Sequence, residues 1–196
     1  MRHWISGISW IGGVFLAMSA GAHRLDELLQ ATLVLVDPEW VQLEIRLNPG
    51  VTVADAFLKA LDRDGEPAFS REEQAAFARS VWSDIELWLD GQSLVLKPLD
   101  QSISSREELQ AGTGFVRLRA RAPMGRVAAG GHRIVCVNRH RPDLSVYLVN
   151  ALKPLHPAVV IRSQRRDELQ TTFRLAYTLL PSGHPIKTPT SDGPSG

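Results

Sequence analysis

Residues 62–73 concentrate oxygen donors at a spacing that suits a hard cation: Asp62, Arg63, Asp64, Gly65, Glu66, Pro67, Ala68, Phe69, Ser70, Arg71, Glu72 and Glu73. Asp62, Asp64, Glu66, Ser70 and Glu73 put side-chain oxygens at the first, third, fifth, ninth and twelfth places, and the Ala68 carbonyl holds the seventh. A hard divalent cation takes roughly six to eight oxygens wrapped around it, so this pattern is that of a calcium loop. These six residues are the candidate calcium ligands. Pro67 stands where such loops carry glycine at their sharp turn, and it fixes φ and removes an N–H. Glu66 is one methylene longer than the usual Asp or Asn. The affinity expected of such an extracellular loop is about 10⁻⁴ to 10⁻³ M.

A second chemistry is offered by histidine. Arg2 and His3, the apolar run from Trp4 to Ala17 and the small residues Met18 to Ala22 have the layout of a signal peptide, with Ala20 and Ala22 forming an A-x-A cleavage site. Cleavage there makes His23 the first residue, and its α-amine and imidazole together form a chelate that favours Cu(II) or Ni(II). A second imidazole must come from elsewhere, and His132 or His140, flanking Cys136, are the candidates. Nickel, cobalt and copper are the ions this arrangement would take. His156 and His184 lie beside prolines and are weaker choices. Asn138, Arg139, His140, Arg141 and Pro142 form a polar corner before a strong strand, where Arg139 and His140 are expected to pair with carboxylates.

Other chemistries find no support. The single cysteine cannot close an intramolecular disulfide or build a Cys-rich metal site, and its alternation with Val135 and Val137 marks it as a small buried side chain. No G-x-S-x-G, H-E-x-x-H, P-loop or dinucleotide fingerprint occurs, so no enzymatic activity is expected. The formal net charge is +1, and loss of residues 1–22 removes only Arg2, leaving 21 basic and 21 acidic side chains. Such a balance gives no field for general nucleic-acid binding.

The elements that must position these residues are mostly strands. Val41, Leu43, Ile45 and Leu47 alternate with Gln42, Glu44 and Arg46, a half-buried strand that Asp37 and Pro38 join to the run Leu29–Val36. Further runs are Ile85–Leu89, Leu94–Leu96, Phe115–Ala122, Arg133–Val137, Ser145–Asn150, Val159–Arg162 and Thr172–Leu179. In Phe115–Ala122 the arginines occupy one face only, as in a strand with one wet side. Between 53 and 82 the period becomes helical, with Ala54, Phe57, Leu58 and Leu61, then Ala75, Ala76, Phe77 and Val81. Ser70 and Glu73 match a capping box. Arg162, Arg165 and Arg166 read as a solvated strand end beside Asp167 and Glu168. About nine strands imply a mainly β protein, an immunoglobulin-like β-sandwich, with a helix-loop-helix insert at 53–82. The expected organisation is a signal peptide at 1–22, the sandwich domain at 23–180 and a tail at 181–196. That tail holds four Pro, three Gly, three Ser and two Thr and too little apolar surface to offset the entropy of ordering.

Three segments, AHRLDELLQATLV, DRDGEPAFSREE and NRHRPDLSVYLVNAL, together resemble bacterial exported EF-hand domain-containing proteins. More distantly the chain is similar to the extracytoplasmic N-terminal region of nickel and cobalt permeases of the HupE/UreJ type. The resemblance spans roughly residues 22–180. It implies a periplasmic or secreted β-rich domain that is not membrane-spanning and handles metal, serving a membrane metal transporter as partner. It carries the EF-hand ligand places onto Asp62, Asp64, Glu66, Ser70 and Glu73, and the histidine that opens the mature region onto His23.

Overall fold

The alternating run around Val41 forms a strand because one face of it is wholly apolar: Val41, Leu43, Ile45 and Leu47 are all fully buried, whereas Gln42 and Glu44 are half-buried and Arg46 is exposed. The computed structural model describes residues 26–66 and 68–181. Strand β1 (Leu28–Val36) pairs antiparallel with β2 (Trp40–Pro49) across the Asp37 turn, where the Glu39 N–H donates to the Asp37 carboxylate at 3.1 Å. With β5 (Lys97–Ile103), β6 (Val116–Pro123) and β8 (Ser145–Ala151) they build the first sheet, ordered β5-β6-β2-β1-β8. Only the β1–β8 pair in it is parallel. The second sheet is antiparallel throughout and runs β4-β3-β7-β10-β9. Its strands are β3 (Ile85–Leu89), β4 (Gln92–Ser93), β7 (Gly130–Asn138), β9 (Val159–Arg166) and β10 (Thr172–Leu179).

The protein is mainly β, and the buried faces of the two sheets share one core. Val34, Leu43, Ile45 and Leu118 from the first sheet and Leu87, Ile134, Phe173, Leu175 and Tyr177 from the second belong to it. Each fully buried aliphatic side chain contributes about 1.5–3 kcal/mol of transfer free energy. Helix α1 (Ala54–Leu61) enters through a 3₁₀ turn at Val51–Val53, and α2 (Arg71–Ser83) follows the acidic loop. Their apolar faces, Phe57, Leu58 and Leu61 on α1 and Phe77, Ala78 and Val81 on α2, close one side of the same core. Phe57 meets Phe77 edge-on with ring centroids 5.3 Å apart.

Among the described residues ten strands are present where about nine were expected. Two of them, the two-residue β4 and β5, stand in place of one expected strand, and the sequence of β5, KPLDQSI, lacks period-two alternation and carries Pro98. Strand β5 runs at the sheet edge, where a proline costs no ladder bond, and its register is irregular between Pro98 and Asp100. The expected strand Leu94–Leu96 is instead the connection between β4 and β5. A short helix, α3 (Arg106–Gln110), was also not expected, although Ser105 and Glu108 form its capping box. The expected signal peptide at 1–22, His23, Pro67 and residues 182–196 of the expected tail lie outside the described residues.

Candidate metal centre

The acidic loop hangs between two helix ends that fix its geometry. Asp62 closes α1, its N–H donating to the Leu58 carbonyl at 2.7 Å. Its carboxylate Oδ1 then accepts the Gly65 N–H at 2.8 Å, a turn that Gly65 completes with φ +78°. Left-handed backbone of this kind favours glycine, so the chain turns at the fourth loop place. Asp64 accepts the Glu66 N–H at 3.1 Å. At the far end Glu73 is buried, and its carboxylate accepts the Arg63 N–H at 2.6 Å and both the N–H and the hydroxyl of Ser70 at 2.9 Å. Ser70 in turn accepts the Glu73 N–H at 3.2 Å, the capping box at the start of α2.

This folding brings one ligand oxygen each of Asp62, Asp64 and Glu73 within 4.8 Å of one another. Glu66 and Ala68 are exposed, and Ser70 serves the helix cap. Hydrogen bonds hold Asp62 and Glu73 ionised. The Arg106 guanidinium, then the Gly65 N–H, keep the Asp62 carboxyl below the ordinary carboxylate range. Glu73 is lowered by the main-chain N–H of Arg63 and by Ser70.

Arg106 was missed in the sequence because it lies outside the loop, on α3. Its Nη2 donates to Asp62 Oδ2 and, at 2.7 Å, to the Glu66 carbonyl, and its guanidinium lies over the Phe69 ring at 5.3 Å. A side-chain cation therefore already engages the loop's first carboxylate and the main chain at its fifth place. Ser105 and Glu108 were the available signal, since a capping box there predicts the helix that presents Arg106.

The histidines are kept apart. His132 lies near the start of β7, with Nδ1 2.7 Å from Asp90 Oδ2 and Nε2 2.8 Å from the Ala128 carbonyl, so both ring nitrogens are engaged. Burial alone would lower its pKa, but the Asp90 and Ala128 bonds outweigh it and raise the group. His140 follows the other end of β7, on the order of 25 Å away by strand rise. It is buried against the edge of Phe77, with Nδ1 2.8 Å from Asp84 Oδ2. There burial prevails over the Asp84 bond and lowers the pKa.

His140 belongs to a buried polar network that the sequence reading did not assemble. Gln30 on β1 donates to the His140 carbonyl at 2.6 Å and to the Ser145 hydroxyl at 2.7 Å, and accepts from Asn138 at 3.0 Å. Asn138 accepts the His140 N–H at 2.9 Å, and the Tyr147 hydroxyl donates to the His140 carbonyl at 2.9 Å. Gln30 and Thr32, polar residues on the buried face of an apolar run, were the overlooked signal. Asp84 and His140 form a carboxylate-imidazole pair like that of a hydrolase, yet the neighbouring Ser145 and Tyr147 hydroxyls turn to the main chain. The adjoining cavity, lined in part by Thr32, Cys136, Asn138 and Tyr147, holds about 10 Å³, about the threshold for one water. Burial raises the Cys136 thiol to about 12, which removes it as a nucleophile at neutral pH.

In comparisons with known proteins, no protein-family model and no curated protein matches this chain.

Proposed function

We propose that the protein is an exported, non-catalytic accessory module of immunoglobulin-like architecture whose helical insert is a degenerate EF-hand that binds calcium. The observation that carries the calcium reading is the convergence of Asp62, Asp64 and Glu73, from the two ends of a helix-loop-helix, within 4.8 Å. In this reading Arg106 is the resident cation and calcium competes with it for Asp62, so the affinity belongs at the weak extracellular end. Strand order supports the architecture. A constant-type immunoglobulin sandwich carries A-B-E-D in one sheet and C-F-G in the other. Here β1-β2-β6-β5 and β3-β7-β10 occupy those places, β4 takes the position beside C, the helical insert lies between B and C, and β8 and β9 form an excursion between F and G. Export, to the periplasm or medium, rests on the Arg2–Ala22 layout. Among the described residues no helix is long and apolar enough to cross a membrane.

The alternative, a nickel, cobalt or copper carrier for a membrane transporter built on His23, has less support. Both ring nitrogens of His132 are engaged, and the buried His140 is bonded to Asp84. Calorimetric titration of the metal-stripped protein with Ca²⁺ tests the choice. Wild type is expected to bind in the millimolar range, Asp62→Asn to lose the heat, and Arg106→Gln to bind up to about fivefold more tightly once the competing ion pair is gone. Binding that persists unchanged in Asp62→Asn would move the ion elsewhere. Heat only with Ni²⁺ or Cu²⁺, abolished by blocking the N-terminus of the protein cleaved after Ala22, would replace the calcium reading by the alternative.

A further inference from the structure

The second sheet turns an unusual face outward. Along β10, Phe173, Leu175, Tyr177 and Leu179 point into the core, so Arg174, Ala176 and Thr178 face out. Register then carries the same face across the sheet: Arg174 stands opposite Arg165 on β9 and Val135 on β7, and Val135 opposite Trp88 on β3. One row thus reads Trp88, Val135, Arg174, Arg165. Arg133, opposite Ala176, adds a third arginine to this face.

Arg162 is three residues from Arg165, and in a regular strand the two would lie on opposite faces. The register shifts at Ala176/Tyr177, and the irregularity re-aims Arg162 so that its Nε donates to the outward Thr178 hydroxyl at 2.8 Å. Four arginines therefore share one face over three neighbouring strands.

None of the four makes an ion pair with a carboxylate among the described residues. Nearby acids are otherwise occupied. Glu86 pairs with Arg139, and Asp167 bonds Thr171 and Thr172. Asp90 takes His132 and the main-chain N–H of Arg133, and of the four arginines Arg133 is the one whose charge acts on it. Arg165 and Arg174 are like charges directly opposite, an arrangement that destabilises a sheet. On the other sheet the outward arginines are compensated, Arg117 and Arg119 by Asp100 and Arg121 by Gln42 and the Trp40 ring.

We propose that the outer face of the second sheet is a docking surface for an anionic phospholipid membrane, held by Arg133, Arg162, Arg165 and Arg174. Guanidinium groups match phosphate oxygens bidentately. The arginines spread over an open sheet face rather than converging on a point, which suits an array of headgroups better than one small anion. Trp88 and Val135 interleave with them, and Trp is a residue of the membrane-water interface. This inference is independent of the acidic loop.

Sedimentation of the full chain with phosphatidylcholine vesicles, with and without phosphatidylglycerol, tests it; the apolar run Trp4–Ala17 is common to every arm, so the difference between vesicles isolates the charged face. Wild type is expected to prefer the anionic vesicles, losing that preference in high salt. Arg165→Gln with Arg174→Gln should weaken the preference about 25-fold, at about fivefold per arginine, while the double lysine variant keeps most of it. Arg117→Gln with Arg119→Gln, on the other sheet, should leave it unchanged. The Gln double variant should melt at or above the wild-type temperature, since a like-charge pair has been removed, which separates lost binding from lost fold. Equal binding to both vesicles, an undiminished preference in the Gln double variant, or retention on dextran sulfate without any vesicle binding would overturn the proposal.

Discussion

His132 and His140 are titratable side chains on one stretch of chain with opposite electrostatic fates. His132 is raised from 6.5 by Asp90 and Ala128 against the effect of burial, so it stabilises the fold fully below about pH 6.5 and that contribution is lost as pH rises through its folded value. His140 is lowered from 6.5 by burial, so its contribution is complete above about pH 6.5 and is lost as pH falls through its folded value. Melting curves between pH 5 and pH 8 separate the two. His132→Gln should steepen the loss of stability on acidification, because the compensating slope is gone. His140→Gln should flatten the acid side while lowering stability at every pH, since Asp84 loses its partner. The neutral His140 donates from Nδ1 to Asp84, a tautomer fixed by that bond.

At the scale of elements, α3 exists to be placed. The turn that follows it is tight: a Cβ on Gly114 would lie 2.8 Å from the Leu109 nitrogen and from Ser104 Cβ, and 2.9 Å from the Glu108 carbonyl carbon. Backbone atoms cannot give way as a side chain can, so Gly114→Ala must shift α3 and the buried Leu109 with it. The expected cost is about 1–3 kcal/mol in denaturant unfolding. The guanidinium of Arg106 should move off Asp62 at the same time, raising the Asp62 carboxyl toward its ordinary value in an NMR titration. Strand β8 poses a different problem, because it is an edge. Its outer backbone is covered by side chains instead of a strand: Gln170 accepts from the Val149 N–H at 3.4 Å, Gln164 from the Ala151 N–H at 3.1 Å, and Arg166 donates to the Val149 carbonyl at 2.6 Å. Such coverage blocks pairing with another chain. Arg166 stands opposite the inward Phe173, so strand alternation takes it off the outer face that Arg162 and Arg165 share and lets it reach β8.

Across the whole molecule, the two sheets are joined by polar contacts as well as by the core. The Gln30 amide on the first sheet holds Asn138 on the second, together with the His140 carbonyl at the crossover between β7 and β8. Gln30 is fully buried, so Gln30→Leu would leave the buried Asn138 amide without its acceptor, whereas the half-buried Ser145 hydroxyl keeps the His140 carbonyl. A loss of about 1–3 kcal/mol is expected from one unsatisfied buried group, measurable by urea unfolding. Asn138→Leu combined with Gln30→Leu should cost less than the sum of the single changes, because the stranded partner is removed as well.

Much of the architecture was legible in the order of residues. Alternation in β2 and β6, the Asp37 turn, the Ser70 capping box and the two helices around the acidic loop are all written within a few residues of one another, so local geometry was enough to find them. Strand β5 escaped because an edge strand has only one neighbour to satisfy and needs no alternating pattern. What depended on distance in sequence was settled only by packing. Asp62 is 44 residues from Arg106, His140 56 from Asp84, and Gln30 108 from Asn138. Arg162 joined Arg165 on one face through a register shift against β10 that no period could announce. The sequence alone determined which segments bury an apolar face and which carry charge, because those properties belong to single side chains and their spacing. Which charges meet, and so whether the acidic loop faces a guanidinium and the arginines face solvent, was decided by the tertiary structure, because opposite charges separated along the chain interact only when the core brings their strands and helices together.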